Sequence, residues 1–128
     1  MKVQDAINEA DNLKPNMYST GDKVTWLSRL DLRIKTEIYD THERLEGEPD
    51  VSDFSGYTDT TEGRQAELLV AEPYAEMYVH WLEAQIDYYN LEYDGFNASN
   101  AVFESVFTTY RNLYNASHKP LSARKSWF

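Results

Sequence analysis

The chain has 128 residues, of which 41% are hydrophobic and 14% aromatic, a composition that predicts one globular domain with its own core. It contains no cysteine, which excludes disulfides, thiolate catalysis and cysteine-ligated metal sites. Its 22 acidic and 12 basic side chains give a net charge of −10, and a surface this acidic repels nucleic acid.

Two helices are predicted before residue 43. Apolar residues at helical spacing indicate a first helix over residues 3–13. Ser19 suits the N-cap of a second helix, which should run from about residue 20 to about residue 42. The apolar stripe of this helix is formed by Leu27, Leu30, Ile34, Ile38 and Thr41. Asp31 and Lys35 have the i,i+4 spacing of an ion pair on the helix surface.

Residues 43–72 are predicted to form a long acidic loop. The segment holds nine acidic residues, two arginines, and many Gly, Ser and Thr residues. Phe54 and Tyr57 are candidates to hold the loop against the helices. The run Ala66 to Val70 is a candidate β segment, which needs a pairing partner in this loop or in a neighbouring subunit. Ala66, Leu68 and Val70 are therefore candidate interface residues.

A third helix should begin at Pro73, which suits the first helical position, and run to about Tyr93. Its apolar and aromatic residues spread over about 200° of the helical wheel, whereas a surface helix needs little more than ~100°. Two neighbours must therefore cover it. The second neighbour is either another helix of the same chain or another subunit. On the latter interpretation Tyr78, Trp81 and Tyr89 are candidate interface residues.

The turn after the third helix is predicted at Asp94-Gly95, with Gly95 as the residue that ends the helix. A fourth helix, capped by Asn97 or Ser99, should continue to about residue 115. Because this turn is short, helices three and four should be antiparallel neighbours. The predicted fold class is mainly α: a small four-helix bundle-like domain with a long acidic loop that carries a candidate β segment.

Residues 118–128 are predicted to form a separate tail after a single helical domain of residues 1–117. The tail contains Lys119, Arg124 and Lys125 and ends in Trp127 and Phe128. Aromatic side chains beside basic ones in a terminal segment favour docking onto a partner protein. Trp127 and Phe128 are therefore further candidate interface residues.

Two groups of residues are candidate metal ligands, one on the third helix and one at residues 43–46. Glu76, His80, Glu83 and Asp87 share one face of the third helix. They do not form the Glu-x-x-His motif of di-iron bundles, and the same residues are expected on a solvent-exposed face. Glu43-x-x-Glu46 resembles half of the magnesium site of all-helical nucleotide pyrophosphatases, without a second carboxylate pair on an adjacent helix. We predict no metal, no cofactor and no catalytic residue, hence no enzyme.

Several segments resemble one protein family. They are Ile7, Lys14-Pro15-Asn16, Trp26-Leu27-Ser28-x-Leu30-Asp31, Glu67 to Tyr74, Tyr78 to Asn90, Asn97, Phe103, Tyr110, Tyr114-Asn115 and His118-x-Pro120. Together they are similar to a small protein of tailed-phage and prophage structural modules, the head–tail connector, also called the head-completion or adaptor protein. The resemblance leaves out residues 44–65 and the end of the tail.

This resemblance implies a homo-oligomer, a ring of about a dozen copies at the head–tail junction of the virion, made in the host cytoplasm. The ring would contact the portal and the tail or stopper proteins, and no membrane. DNA would pass through it without specific binding, because acidic residues facing the channel let it slide. Two alternatives stay open: an acidic DNA-mimic inhibitor, and a metal-dependent helical hydrolase that uses Glu43, Glu46, Glu76 or Glu83.

Overall fold

The computed structural model describes residues 1–121, and this part of the chain is mainly helical and bundle-like, as predicted. The helices are α1 (Val3–Leu13), α2 (Thr20–Ile34), α3 (Glu76–Tyr89) and α4 (Tyr93–Ser117), with a π-helical turn at Lys35–Tyr39 and a 3-10 turn at Gly63–Gln65. No helix in residues 1–121 combines the length and the apolar character needed to cross a membrane.

The first two helices lie where the apolar spacing predicts them. α1 agrees at both ends. The Ser19 hydroxyl accepts a hydrogen bond from the Asp22 amide at 3.1 Å, which confirms the predicted N-cap of α2. Helical structure then ends at Tyr39 rather than near residue 42. The hydroxyl of Thr41 donates to the carbonyl groups of Glu37 and Ile38 in the last turn. These carbonyl groups would otherwise need the backbone amides of a further helical turn.

α3 begins at Glu76, three residues later than predicted. A hydrogen bond of 3.1 Å from the Met77 amide to the Tyr74 carbonyl closes a tight i→i+3 turn ahead of the helix. Pro73 precedes this turn, after a cis peptide bond, and is not the first helical residue. The predicted start of the helix is therefore wrong by about one turn.

The turn between α3 and α4 lies at residues 90–92, not at Asp94-Gly95. Leu91 takes the left-handed conformation there, with φ of 61°. α4 starts at Tyr93, so Gly95 lies in its first turn and neither of the predicted caps is formed. Packing is what requires this glycine, because a Cβ on Gly95 would lie 2.7 Å from Asp87 Oδ2. Both helices still pack against each other, as predicted.

α3 is the central helix of the bundle. It packs against α4, α1 and α2. Its buried apolar and aromatic residues are Met77, Tyr78, Val79, Leu82, Ala84 and Ile86. Along residues 77–86 the chain's own helices therefore cover the wide apolar arc, which agrees with the interpretation of a helix buried within one chain. At the end of α3 this cover stops, and Tyr88 and Tyr89 are exposed.

The loop of residues 43–72 is folded onto the helices. Residues 66–70 form no strand; a single antiparallel bridge joins Lys2 to Glu67. Next to it, the Leu68 amide donates to the Met1 carbonyl at 2.9 Å. The pairing partner is thus the start of the same chain, and the expectation of a partner in the loop or in a neighbouring subunit is corrected. Backbone pairing with residues 1–3 satisfies this segment, because α1 begins beside it.

Candidate interaction surface

One end of the helical body exposes a group of large apolar side chains. Two connections meet there: the Tyr18 hydroxyl donates to Asn90 Oδ1 at 2.8 Å, and Lys14 forms an ion pair with Asp87. The exposed residues, which we call the apolar end, are Leu13, Met17, Tyr88, Tyr89, Leu91 and Tyr93. Met17 is 99% exposed. Single exposed apolar residues are ordinary, but a group of them at one end of a protein is typical of an interaction site.

Aromatic rings hold the centre of the apolar end in place. The ring of Tyr89 is stacked on that of Trp26, with centroids 5.4 Å apart and planes 8° from parallel. Tyr18 meets Trp26 edge-on at 5.6 Å, and Tyr88 meets Tyr89 edge-on at 5.2 Å. Such pairs contribute about 0.5–1.5 kcal/mol each beyond their buried area. Tyr88 and Tyr89 are therefore presented in a fixed arrangement, which suits them as anchors for a partner.

The predicted interface residues lie in very different surroundings. Leu68, Val70 and Tyr78 are buried, Ala66 and Trp81 are half-buried, and Tyr89 is 46% exposed. The indole nitrogen of Trp81 donates to the carbonyl of Trp26 at 2.9 Å, so its polar tip is used within the chain. Trp127 and Phe128 lie outside the described residues. Among the described candidates, only Tyr89 belongs to the apolar end. The other five residues of the apolar end were not predicted as interface residues: Leu13, Met17, Tyr88, Leu91 and Tyr93.

The comparisons with known proteins give no family for this chain. No family model, no curated protein and no solved structure matches it. The candidate surface must therefore be judged on the geometry of this chain alone.

A buried carboxylate holds the long loop against the helices. Asp31 of α2 is fully buried, and its Oδ1 accepts a hydrogen bond of 2.6 Å from the Tyr78 hydroxyl. Its Oδ2 accepts from the Tyr57 hydroxyl and, at 3.1 Å, from the Leu69 amide. The Tyr78 hydroxyl in turn accepts from the Val70 amide at 2.8 Å. One carboxylate thus joins α2, α3 and two points of the loop.

The same burial changes the acidity of this group. Burial raises the pKa of Asp31 to about 6, although the hydrogen bonds from Tyr57, Tyr78 and Leu69 lower it. Burial and the nearby Asp31 carboxylate raise the pKa of both Tyr57 and Tyr78 above the ordinary value of 10.0. Both tyrosine hydroxyls therefore remain protonated donors at neutral pH.

The predicted surface ion pair between Asp31 and Lys35 is wrong. Lys35 pairs instead with Asp40, at 2.9 Å, and Asp31 points into the core. The sequence contains a signal for this, because Asp31 follows Leu27 by four residues and so shares the apolar stripe of α2. Tyr57, predicted to hold the loop, is confirmed in that role by its bond to Asp31.

A Ser–His–Glu arrangement occurs where α4 ends, but its hydrogen bonds do not suit a catalytic triad. His118 Nδ1 lies 2.8 Å from Ser117 Oγ and 2.8 Å from the Tyr114 carbonyl oxygen, and Nε2 lies 3.0 Å from Glu48 Oε2. A carbonyl only accepts, so Nδ1 carries a proton and cannot remove one from Ser117. The arrangement instead ties Glu48 of the loop to the end of α4.

The candidate metal ligands of α3 do not converge. His80 Nδ1 lies 3.1 Å from Glu83 Oε1, whereas Asp87 faces inward and pairs with Lys14. Glu76 is exposed at the start of the helix. Within residues 1–121, no group of three or more His, Asp or Glu side chains is arranged to hold a metal ion.

The loop carries a concentrated negative surface. Its exposed acidic residues are Glu43, Glu46, Asp50, Asp53, Asp59, Glu62, Glu67 and Glu72. The arginines of the segment are engaged locally: Arg64 pairs with Asp59 at 2.7 Å, and the Arg44 guanidinium lies 4.5 Å from the centre of the Tyr39 ring. Asp31 holds this loop at Tyr57 and Leu69, and His118 holds it at Glu48.

Proposed function

We propose that this chain is a structural subunit of a phage head–tail connector ring, which joins the portal to the tail through contacts between proteins. The observation that supports this proposal is the apolar end, whose six large side chains remain exposed in the single chain. A neighbouring subunit that covers them would gain about 25 cal/mol for each Å² of apolar surface removed from water.

A closed ring needs two different surfaces on each subunit, because its contacts are head-to-tail. The outer face of α4 is the candidate for the second surface. Its exposed residues are Asn97, Ala98, Ala101, Val102, Glu104, Ser105, Thr109, Asn112, Leu113, Asn115 and Ala116. The charged residues exposed on α4 are Asp94, in its first turn, and Glu104, in a chain that is 27% charged. Charged residues are depleted in the core of interfaces, so we expect the apolar end of one subunit to contact this face of the next.

The resemblance to connector proteins and the acidic loop support the more specific part of the proposal. A ring around the DNA exit channel must not hold the phosphate backbone, and exposed carboxylates repel it. The loop provides them, and it is held to the helical body by Asp31 at Tyr57 and Leu69. We therefore expect the loop of each subunit to face the channel, with DNA passing through without specific binding.

The decisive experiment measures assembly of the full chain and of a variant with the apolar end altered. Leu13→Gln combined with Tyr93→Gln should weaken self-association by about tenfold or more, because it removes apolar area from a contact. Light scattering across a range of concentrations gives the mass, and electron microscopy of the large species gives the ring. Far-ultraviolet circular dichroism should be unchanged, because both side chains are exposed.

Leu45→Gln is the matched control. Leu45 is 50% exposed but lies on the loop, so this variant should assemble like the wild type. Should the full chain stay monomeric alone, the measurement is repeated with the portal protein of the same phage. A chain that remains monomeric in both conditions, or a double variant that assembles normally, contradicts the proposal.

A second candidate function is an acidic inhibitor that imitates DNA, and the exposed acids of the loop favour it. Such a protein would bind a nucleic-acid enzyme as a monomer, with an affinity that falls steeply with salt. Changing Asp50, Asp53 and Glu62 to their amides separates the two functions. The change should abolish binding by a DNA mimic, whereas ring assembly through the apolar end should survive it.

A further inference from the structure

A cleft of about 580 Å³ lies between the loop and the last turns of α4, at the opposite end of that helix from Tyr93. Four tyrosines and several aliphatic residues form its walls, together with three glutamates; the lining includes Tyr39, Tyr74, Tyr110, Tyr114, Leu69 and Glu72. The rings are held in place, since the hydroxyls of Tyr39 and Tyr110 are hydrogen-bonded at 2.8 Å. A cleft of this size and lining is suited to bind a ligand or a peptide.

Arg44 leaves one polar group of the cleft wall unsatisfied. Its guanidinium donates to the Tyr114 hydroxyl at 2.7 Å and to the Pro49 carbonyl at 2.9 Å. Its Nε is buried and has no hydrogen-bond partner among residues 1–121. Glu48 Oε1 lies 3.9 Å from this nitrogen, which is an ion pair but too long for a hydrogen bond. The charge of Arg44 is therefore compensated, and only the hydrogen-bonding capacity of Nε is left unused.

The tail leaves the helical body beside this cleft. The Leu121 amide donates to the Thr41 carbonyl at 2.9 Å, which fixes the point from which residues 122–128 start. Arg44 and Ser117, each a few residues from this anchor, both line the cleft. Seven residues span up to about 25 Å when extended. The segment is therefore long enough to turn back and lie along the cleft walls.

We propose that this cleft binds residues 122–128 of the same chain. The side chains of this segment carry a net charge of +2, from Arg124 and Lys125. The side chains of residues 1–121 carry a net charge of −12, from 10 basic and 22 acidic residues. Trp127 and Phe128 would pack on the tyrosine rings, and the basic residues would lie near Glu72. Covalent connection gives the segment an effective concentration of about millimolar, so modest contacts are sufficient.

This inference is independent of the proposed ring, and it differs from the docking onto a partner that the sequence predicts. If it holds, the aromatic residues of the tail are taken up within each subunit. Assembly would then depend on the apolar end and on the face of α4.

The experiment uses disulfide formation in the full-length chain, which has no cysteine of its own. Ala71→Cys places a thiol at an exposed position of the cleft wall, and Ser126→Cys places one next to Trp127. The matched control combines Ser126→Cys with Ala116→Cys, which is exposed on α4 near the start of the tail and outside the cleft lining. Both pairs are oxidised at low protein concentration, and the products are separated by mass without reduction.

We expect the cleft pair to close about tenfold faster than the control pair, because docking raises the effective concentration of the two thiols. The product should be a monomer, formed at a rate that does not depend on protein concentration. Adding Trp127→Ala and Phe128→Ala should reduce the rate of the cleft pair to that of the control. Circular dichroism of each variant checks that the helices are intact.

Two results would overturn the proposal. Equal rates for the two pairs would mean that the tail does not lie in the cleft, since a free tail meets the nearby position 116 at least as often. Covalent dimers whose yield increases with concentration would mean that the cleft takes the tail of a neighbouring subunit.

Discussion

The buried carboxylate of Asp31 predicts a specific dependence of stability on pH. Its pKa rises from the ordinary value of 3.8 to about 6 in the folded chain. A raised pKa means that the folded state binds this proton more tightly than the unfolded state does. The contribution of Asp31 to stability is therefore fully present below pH 3.8 and is lost as the pH rises through about 6. At 1.36 kcal/mol for each pKa unit, the loss amounts to about 3 kcal/mol.

Asp31→Asn isolates this effect because asparagine does not ionise. The wild-type free energy of unfolding, minus that of the variant, should fall by about 2 kcal/mol between pH 4 and pH 7.5, because part of the total is already lost at pH 4. Contributions from other titrating groups cancel in this difference. The amide nitrogen of the substituted side chain would face donors such as the Tyr57 hydroxyl, so the variant is also destabilised, but by an amount that does not change with pH.

Urea denaturation, followed by circular dichroism at each pH, provides the two free energies. Asp53→Asn is the control for removing one negative charge from a chain of net charge −10, because Asp53 is exposed on the loop. A difference that stays constant or grows as the pH rises would refute the reasoning. It would mean that the hydrogen bonds to Asp31 outweigh its burial, so that the fold favours the ionised form.

Two further predictions concern Asp87, which lies beneath the turn between α3 and α4. Lys14→Met should lower the free energy of unfolding by about 3 kcal/mol, because it leaves a fully buried carboxylate without its partner. Adding Asp87→Asn should restore most of that loss in urea denaturation, and a double variant as unstable as Lys14→Met would argue against the buried pair. Gly95→Ala should cost about 1–3 kcal/mol, although alanine favours helices, because its Cβ would lie 2.7 Å from Asp87 Oδ2. Gly21→Ala should change stability by less, because the closest contact of its Cβ would be the end of the exposed Asp59 side chain, at 3.1 Å. Equal losses in the two variants would remove the steric argument.

The helices could be predicted because their signals are local. The apolar spacing of α1 and the cap at Ser19 need only neighbouring residues. The turn between α3 and α4 could not be predicted in the same way. A left-handed leucine at position 91 is rare, and Gly95 gives the stronger turn signal. Gly95 is in fact required by its contact with Asp87, which no local pattern contains.

The candidate surface was only partly predictable, for a related reason. A helical wheel gives the width of an apolar arc but not the identity of the neighbour that covers it. For Tyr78 the neighbours are α2 and the loop, through Asp31 and Val70. For Tyr89 the neighbours are the rings of Trp26, Tyr18 and Tyr88, and nearly half of its side chain remains exposed to solvent. Whether an aromatic residue of α3 is buried, like Tyr78, or exposed, like Tyr89, depends on how far the surrounding helices extend along α3.

The lengths of α1 and α2 explain why the apolar cover of α3 stops where it does. α1 ends at Leu13 and α2 begins at Thr20, so a short connection crosses the end of the bundle where a helix would otherwise pack on Tyr88 and Tyr89. That connection contributes one ring, Tyr18, to the cluster. Because the rings of the cluster already fix one another, a partner that covers them would order few additional side chains. Most of the free energy gained by burying this surface would then be available for association.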